Sequence, residues 1–297
     1  MKQQLSKDPR IRRMVSWGTI VVYTFFLPSA ILVYRKLESA IGQDATGKIP
    51  FYGVIFIGLA YILYGFLKHR NFTHLFYLIP CAIIAYVIIK YEPNPNKHIH
   101  IPEYVLMAWL LYAALSKDYQ GNGIFILIFI CGSLLGVVDE LEQGLHPKRF
   151  YGWSDMAVNS SSMLIGIFTI LGLVKRETGN WDWTKRWKEY QTHFGLILFG
   201  VVGAVFMCIH LFDVQAEEMF WGVYPLWILG WNYLYLFAVL IHLAFHIIKQ
   251  RSIQNTAIER EKSLRQTAQL WVYFPLAILF FMHFLVVYVS VSGASFR

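Results

Sequence analysis

Six polar residues between positions 139 and 159 stand out in an otherwise apolar chain. They are Asp139, Glu140, Gln143, Arg149, Asp155 and Asn159, in the pattern D-E-x2-Q-x5-R-x5-D-x3-N. Apolar runs long enough to cross a bilayer flank the string. Ionisable groups in or beside spanning helices cost free energy unless paired or hydrated, so they mark function by default. Glu140 beside Asp139 is the arrangement of carboxyls that does general acid–base work, and Asp155 is a second candidate. Arg149 can grip a phosphate or carboxylate through two parallel N–H bonds. Gln143 and Asn159 present amides that would orient a polar head. Asp139, Glu140 and Asp155 together offer the hard oxygen ligands a divalent cation takes.

The spacing places these groups on helices. Glu140 and Gln143 are three apart, Asp139 and Gln143 four apart, and Asp155 and Asn159 four apart, so each pair shares a helix face. Ser162 and Gly166 continue the Asp155–Asn159 stripe. Ser154 reads as an N-cap, with Asp155 suited to the positive end of the helix dipole. Residues 144–154, with Pro147 and two glycines, form a short connection, so the two helices must be antiparallel neighbours. Upstream, Lys97, His98 and His100 precede Glu103 and Tyr104 at the start of another helix, and His100 is a further ligand-binding candidate. Downstream, His210, Asp213 and Glu217 fall at i, i+3 and i+7, with Glu218 beside them.

Composition says where these helices live. The 297 residues are 57% hydrophobic and 15% charged, with a mean hydropathy of +0.47. That is too apolar for a soluble domain. The net charge of +8 does not imply nucleic acid, because the basic residues sit in short loops beside apolar runs, as inner-leaflet contacts do. Membrane lipids are the expected partners. We read nine spans, near 15–34, 51–67, 74–90, 103–116, 122–140, 155–174, 193–211, 223–248 and 270–292. With the N-terminus inside, 18 of the 26 Lys and Arg residues fall in inner segments and 7 in outer ones. This bias fits the positive-inside rule. The fold class expected is therefore all-α: a polytopic transmembrane helical bundle of about nine spans, N-terminus inside, C-terminus outside, with the polar string on the outer face. Trp181, Trp183 and Trp187 alternate with basic residues in an interfacial stretch, and Ile253 to Leu270 reads as a short surface helix. Cys81, Cys131 and Cys208 fall inside apolar runs and read as small buried residues.

On these residues the stretch 74–174 resembles the VanZ-like membrane proteins. The anchors are Lys97 and His100, Glu140 and Gln143, Pro147 and Arg149, Asp155 and Asn159, then Gly166, with Ser162 where a glycine is the family's habit. The resemblance implies a four-helix core at 74–174, with two added helices in 1–73 and three in 175–297. It implies a place in the bacterial inner membrane and a link to glycopeptide resistance and the cell envelope. It names no cofactor. The reading that follows is a non-enzymatic envelope protein whose outer site binds a lipid-linked or phosphorylated ligand, such as a lipid-linked cell-wall precursor or a glycopeptide. In it Arg149 holds a phosphate, and Gln143, Asn159, His100 and the carboxylates orient the head.

Two alternatives come from the same residues. The first is a membrane hydrolase or transferase with Glu140 and Asp155 catalytic and Arg149 stabilising developing charge. The sequence offers no obvious nucleophile with a partner base. The second is a subunit of a larger membrane complex that recruits partners through the extra helices, including an electron-transfer complex. His193, His210, His242, His246 and His283 lie in the C-terminal spans, and histidines on facing helices can ligate haem. In the expected topology His242 and His246 lie toward the inside, His283 mid-span and His210 near the outside, so the depths do not match for an obvious bis-His pair, and core or interfacial histidines are the simpler account. Asn232, with Pro225 and Gly230, could break the eighth span around a transported ligand. A packing role is the simpler account of Asn232.

Overall fold

The computed structural model describes residues 9–69, 72–119, 121–145, 149, 151–174, 181–216, 226–253 and 259–292. The described residues are all-α. The ten helices are α1 (Pro9–Phe26), α2 (Ala30–Ile41), α3 (Gln43–His69), α4 (Leu78–Tyr91), α5 (His100–Leu115), α6 (Gly123–Leu145), α7 (Trp153–Leu173), α8 (Trp187–Ala216), α9 (Leu226–Ile253) and α10 (Glu259–Ser292). A helix satisfies its own backbone polar groups, which hydrocarbon cannot do for it. Seven helical stretches are long and apolar enough to cross a membrane, and the bent pair α1–α2 makes an eighth if it counts as one span. The chain is therefore an integral multi-pass membrane protein. The 47° bend falls between Ser29 and Leu32, just after the 3-10 turn Leu27–Ser29, in which Pro28 has no N–H to donate.

The ninth expected span is α5, and it falls short. Its 16 residues rise about 24 Å at ~1.5 Å per residue, less than the ~30 Å of a hydrocarbon core. Protein rather than lipid shelters it, since Tyr104, Met107, Ala108 and Leu111 are completely buried.

The chain forms two compact units. The first comprises Met1–Lys117, Ile124–Asp139 and Trp153–Thr178; the second comprises Asp118–Gly123, Glu140–Gly152 and Gly179–Arg297. In the first unit α7 packs against α4 and α5. Cys81, Ile88, Ile101, Val105, Val158 and Ile165 form an apolar cluster there. The Trp109 Nε1–H donates to Thr169 Oγ1 at 3.0 Å, joining α5 to α7. Gly166 permits the close approach: a Cβ there would lie 2.5 Å from the Ala108 Cβ and 3.1 Å from the Val105 carbonyl oxygen.

In the second unit α8, α9 and α10 pack pairwise around Met207, Tyr235 and Leu279. His283 ties all three. Its Nδ1 is 2.7 Å from Asn232 Oδ1, and its Nε2 is 3.0 Å from the Gly200 carbonyl. Asn232 also donates to the Ile228 carbonyl at 2.7 Å. Helix α9 runs unbroken through Gly230 and Asn232, so Asn232 is a packing residue; Pro225 lies outside the described residues.

Two expectations change. Residues 259–292 form one 34-residue helix rather than a surface helix followed by a span. Trp183 is buried and stacked on Trp271 at 5.1 Å, whereas Trp181 and Trp187 are exposed. All three cysteines are buried and free.

Candidate functional site

The motif residues form two hydrogen-bonded groups, one in each unit. In the second unit, the last turns of α6 carry Glu140 and Gln143, both buried. The Gln143 amide donates to Glu140 Oε1 at 3.0 Å, as their i,i+3 spacing allows. The Gly152 backbone N–H donates to Glu140 Oε2 at 3.2 Å. Arg149 donates from Nε to Gln143 Oε1 at 2.9 Å, and from Nη2 to the same oxygen. Tyr151 donates to the Cys208 carbonyl at 3.2 Å, pinning this connection to α8. Both Glu140 oxygens thus accept hydrogen bonds. The guanidinium meets a neutral amide, and among the described residues no carboxylate lies within ion-pair distance of it.

In the first unit, Asp155 is 5% exposed and faces Lys97, whose Nζ is 2.8 Å from its Oδ1. Lys97 also donates to Ser154 Oγ at 2.6 Å and lies 3.5 Å from Glu92. Burial disfavours the Lys97 ammonium, but the two carboxylates outweigh it and raise its pKa. Helix α7 begins at Trp153, so Ser154 is a first-turn residue bound to Lys97 rather than the N-cap. His100 is buried, with Nδ1 3.2 Å from Glu103 Oε2. Tyr104 donates to Asp139 Oδ2 at 3.1 Å. Asp139 and Glu140 are consecutive on a helix and so point about 100° apart.

Asn159 differs from its neighbours. It is completely buried, yet among the described residues neither atom of its amide has a hydrogen-bond partner. Gly136 lies opposite, where a Cβ would sit 3.1 Å from the Asn159 Cβ. Leaving a buried amide unpaired costs about 1–3 kcal/mol, so the position suits a group that completes it. In the same unit, an apolar cavity of about 290 Å³ is lined by Gly58, Tyr61, Ala82, Val105 and Trp109, and by Ile101 and Pro102, which follow His100 in the chain.

The structure therefore joins Glu140, Gln143 and Arg149 in one unit. In the other it joins Asp155 to Lys97 and Glu92, the latter a residue sequence reading passed over. Pro147, Lys148, Glu217 and Glu218 lie outside the described residues, as does the Asp213 side chain.

The structure adds His193 to the comparison of histidine positions. His193, His242 and His246 each offer a nitrogen within 4.8 Å of the others. The signal was legible: His242 and His246 are four apart, and His193 opens the preceding span from the same expected side. With only 4.2 Å between the His193 and His242 ring centroids, no slot for a macrocycle exists between that pair.

Comparison with protein-family models, with curated proteins and with solved structures finds no match to this chain.

Proposed function

We propose that this protein is an envelope membrane protein of the bacterial inner membrane that binds a lipid-linked ligand, without itself catalysing a reaction on it. The observation that carries the reading is the buried, unpaired amide of Asn159, one turn beyond Asp155 on α7. A polar head bearing hydroxyls would supply both the donor and the acceptor that this amide lacks. The apolar cavity of the same unit supports a chain-bearing ligand, because its lining reaches Ile101 and Pro102 beside buried His100. Such sites are mostly apolar with a few placed polar groups. The resemblance to VanZ-like proteins rests on the motif residues alone and points to a lipid-linked cell-wall precursor as the ligand class.

Arg149 is a separate part of the reading. Its guanidinium is held by a neutral oxygen, and among the described residues no carboxylate cancels its charge, which suits an anion such as phosphate. Glu140 orients Gln143 and the Gly152 backbone as an acceptor, and Asp155 is neutralised by Lys97.

The test is native mass spectrometry of the protein released from membranes. Wild type is compared with Asn159→Ala, with Ala82→Phe, which fills the cavity from an exposed position, and with Arg149→Ala. A lipid-phosphate mass present in wild type and depleted in all three supports the proposal. A bare wild type, or a mass retained by Asn159→Ala and Ala82→Phe, overturns it. Retention by Arg149→Ala alone removes the phosphate contact and leaves the rest standing.

A further inference from the structure

His193 lies on α8, and His242 and His246 lie on successive turns of α9. The His193 ring centroid is 4.2 Å from that of His242 and 4.5 Å from that of His246, with the rings nearly perpendicular. The His242 and His246 centroids are 6.2 Å apart. One nitrogen from each ring falls within 4.8 Å of the other two. His193 is 1% exposed, and neither of its ring nitrogens has a hydrogen-bond partner; the buried Nε2 of His242 has none either. Polar atoms buried this way are costly unless something pairs with them. Three histidine nitrogens converging, with those of His193 and the Nε2 of His242 left without a partner, are what a metal ion satisfies.

We propose that His193, His242 and His246 bind a divalent transition-metal ion of the Zn²⁺ class. Two histidines at i,i+4 on one helix face plus a third from a facing helix give three of four tetrahedral ligands. At Zn–N distances of ~2.0–2.1 Å, the nitrogens must draw together slightly from the separations seen here, and side-chain torsions of the two helices supply that. The ligand set is three imidazoles, with no carboxylate or thiolate among the grouped residues. That set disfavours Mg²⁺ and Ca²⁺, which take oxygen, and suits Zn²⁺ and its neighbours. The fourth position falls to solvent or an anion; the Tyr190 and Tyr273 ring centroids lie 5.4 and 5.6 Å from that of His193. In the spans expected from the sequence, 193–211 and 223–248, all three histidines fall toward the inner side. None of these residues belongs to the proposed lipid-ligand site, so either reading can fail without the other.

The experiment uses full-length protein without a histidine tag, stripped with chelator and titrated with Co²⁺ or Zn²⁺ alone. The expected result is one Co²⁺ per chain with the visible bands of a tetrahedral site, displaced by Zn²⁺. Affinity falls at least about tenfold in His193→Asn and in His242→Asn, since even losing a group that only orients a metal ligand costs ~10–100-fold. His98→Asn, outside the cluster, binds as wild type does. His242→Cys keeps a ligand, so it retains the ion and gains a thiolate-to-Co²⁺ charge-transfer band; this variant decides the matter if the Asn variants fail to fold. No uptake by wild type, unchanged uptake in both Asn variants, or a His242→Cys protein that holds Co²⁺ without the new band overturns the proposal.

Discussion

Adding one methyl group at Gly166 should loosen the first unit measurably. In Gly166→Ala the new Cβ would lie 2.5 Å from the Ala108 Cβ, with the Val105 carbonyl oxygen at 3.1 Å and the Val105 Cα at 3.2 Å. Ordinary carbon–carbon contact is ~3.5–4.0 Å, so α5 and α7 must separate by about 1 Å. Two of the three obstacles are backbone, which cannot rotate away. A gap of ~0.5–1 Å forfeits a quarter to a half of each dispersion contact along the seam. It also stretches the Trp109–Thr169 bond, now 3.0 Å, past hydrogen-bonding range. Overpacking costs about 1–3 kcal/mol, and an interhelical hydrogen bond in a membrane about 0.6 kcal/mol. We expect a loss of about 2–3 kcal/mol, roughly a 30- to 150-fold shift in the folding equilibrium. The assay is reversible SDS unfolding in mixed micelles, followed by tryptophan fluorescence, on wild type, Gly166→Ala, Ala108→Gly and the double variant. Ala108→Gly removes the nearest atom but leaves Val105, so the double variant should recover part of the loss and not all of it. A Gly166→Ala protein within about 0.5 kcal/mol of wild type, or a double variant whose losses simply add, would refute this account of α5–α7 packing.

Two further outcomes can be measured, one resting on the structure and one on the loop charges. Lys97→Met should destabilise the first unit by about 1.5–3 kcal/mol at neutral pH, the worth of a hydrogen bond to a charged group, because Lys97 is only 27% exposed and sits 2.8 Å from Asp155. The raised pKa of Lys97 fixes the sign. Its contribution is fully present below the ordinary lysine pKa and is lost as pH rises through the raised value. The stability gap between wild type and variant should therefore close in alkali, and a gap unchanged on the alkaline side of the lysine range contradicts the pairing. The charge asymmetry of the loops predicts that a cysteine at position 148 is labelled by an impermeant thiol reagent only from outside the cell. Labelling only from inside inverts the expected topology.

The sequence alone determined the class of this protein and its helices. Hydrocarbon imposes one dominant requirement, an internally bonded backbone wrapped in apolar side chains, and that requirement is written locally in runs of residues. Among the described residues each of the nine apolar runs is helical, including the short α5, with the first divided between α1 and α2. The i,i+3 bond from Gln143 to Glu140 was equally local, because helix geometry alone makes those residues neighbours. Only the tertiary structure could decide what lies across from each helix face. That Lys97 neutralises Asp155 and that Tyr104 donates to Asp139 depend on residues 58 and 35 positions apart, and the burial of the Asn159 amide likewise depends on what packs across from it. The histidine cluster shows the boundary between the two. The i,i+4 pair on α9 was readable, but the third nitrogen comes from another helix, and its distance follows from how α8 and α9 pack. Packing is set by side-chain shapes meeting across an interface, and no run of consecutive residues encodes it.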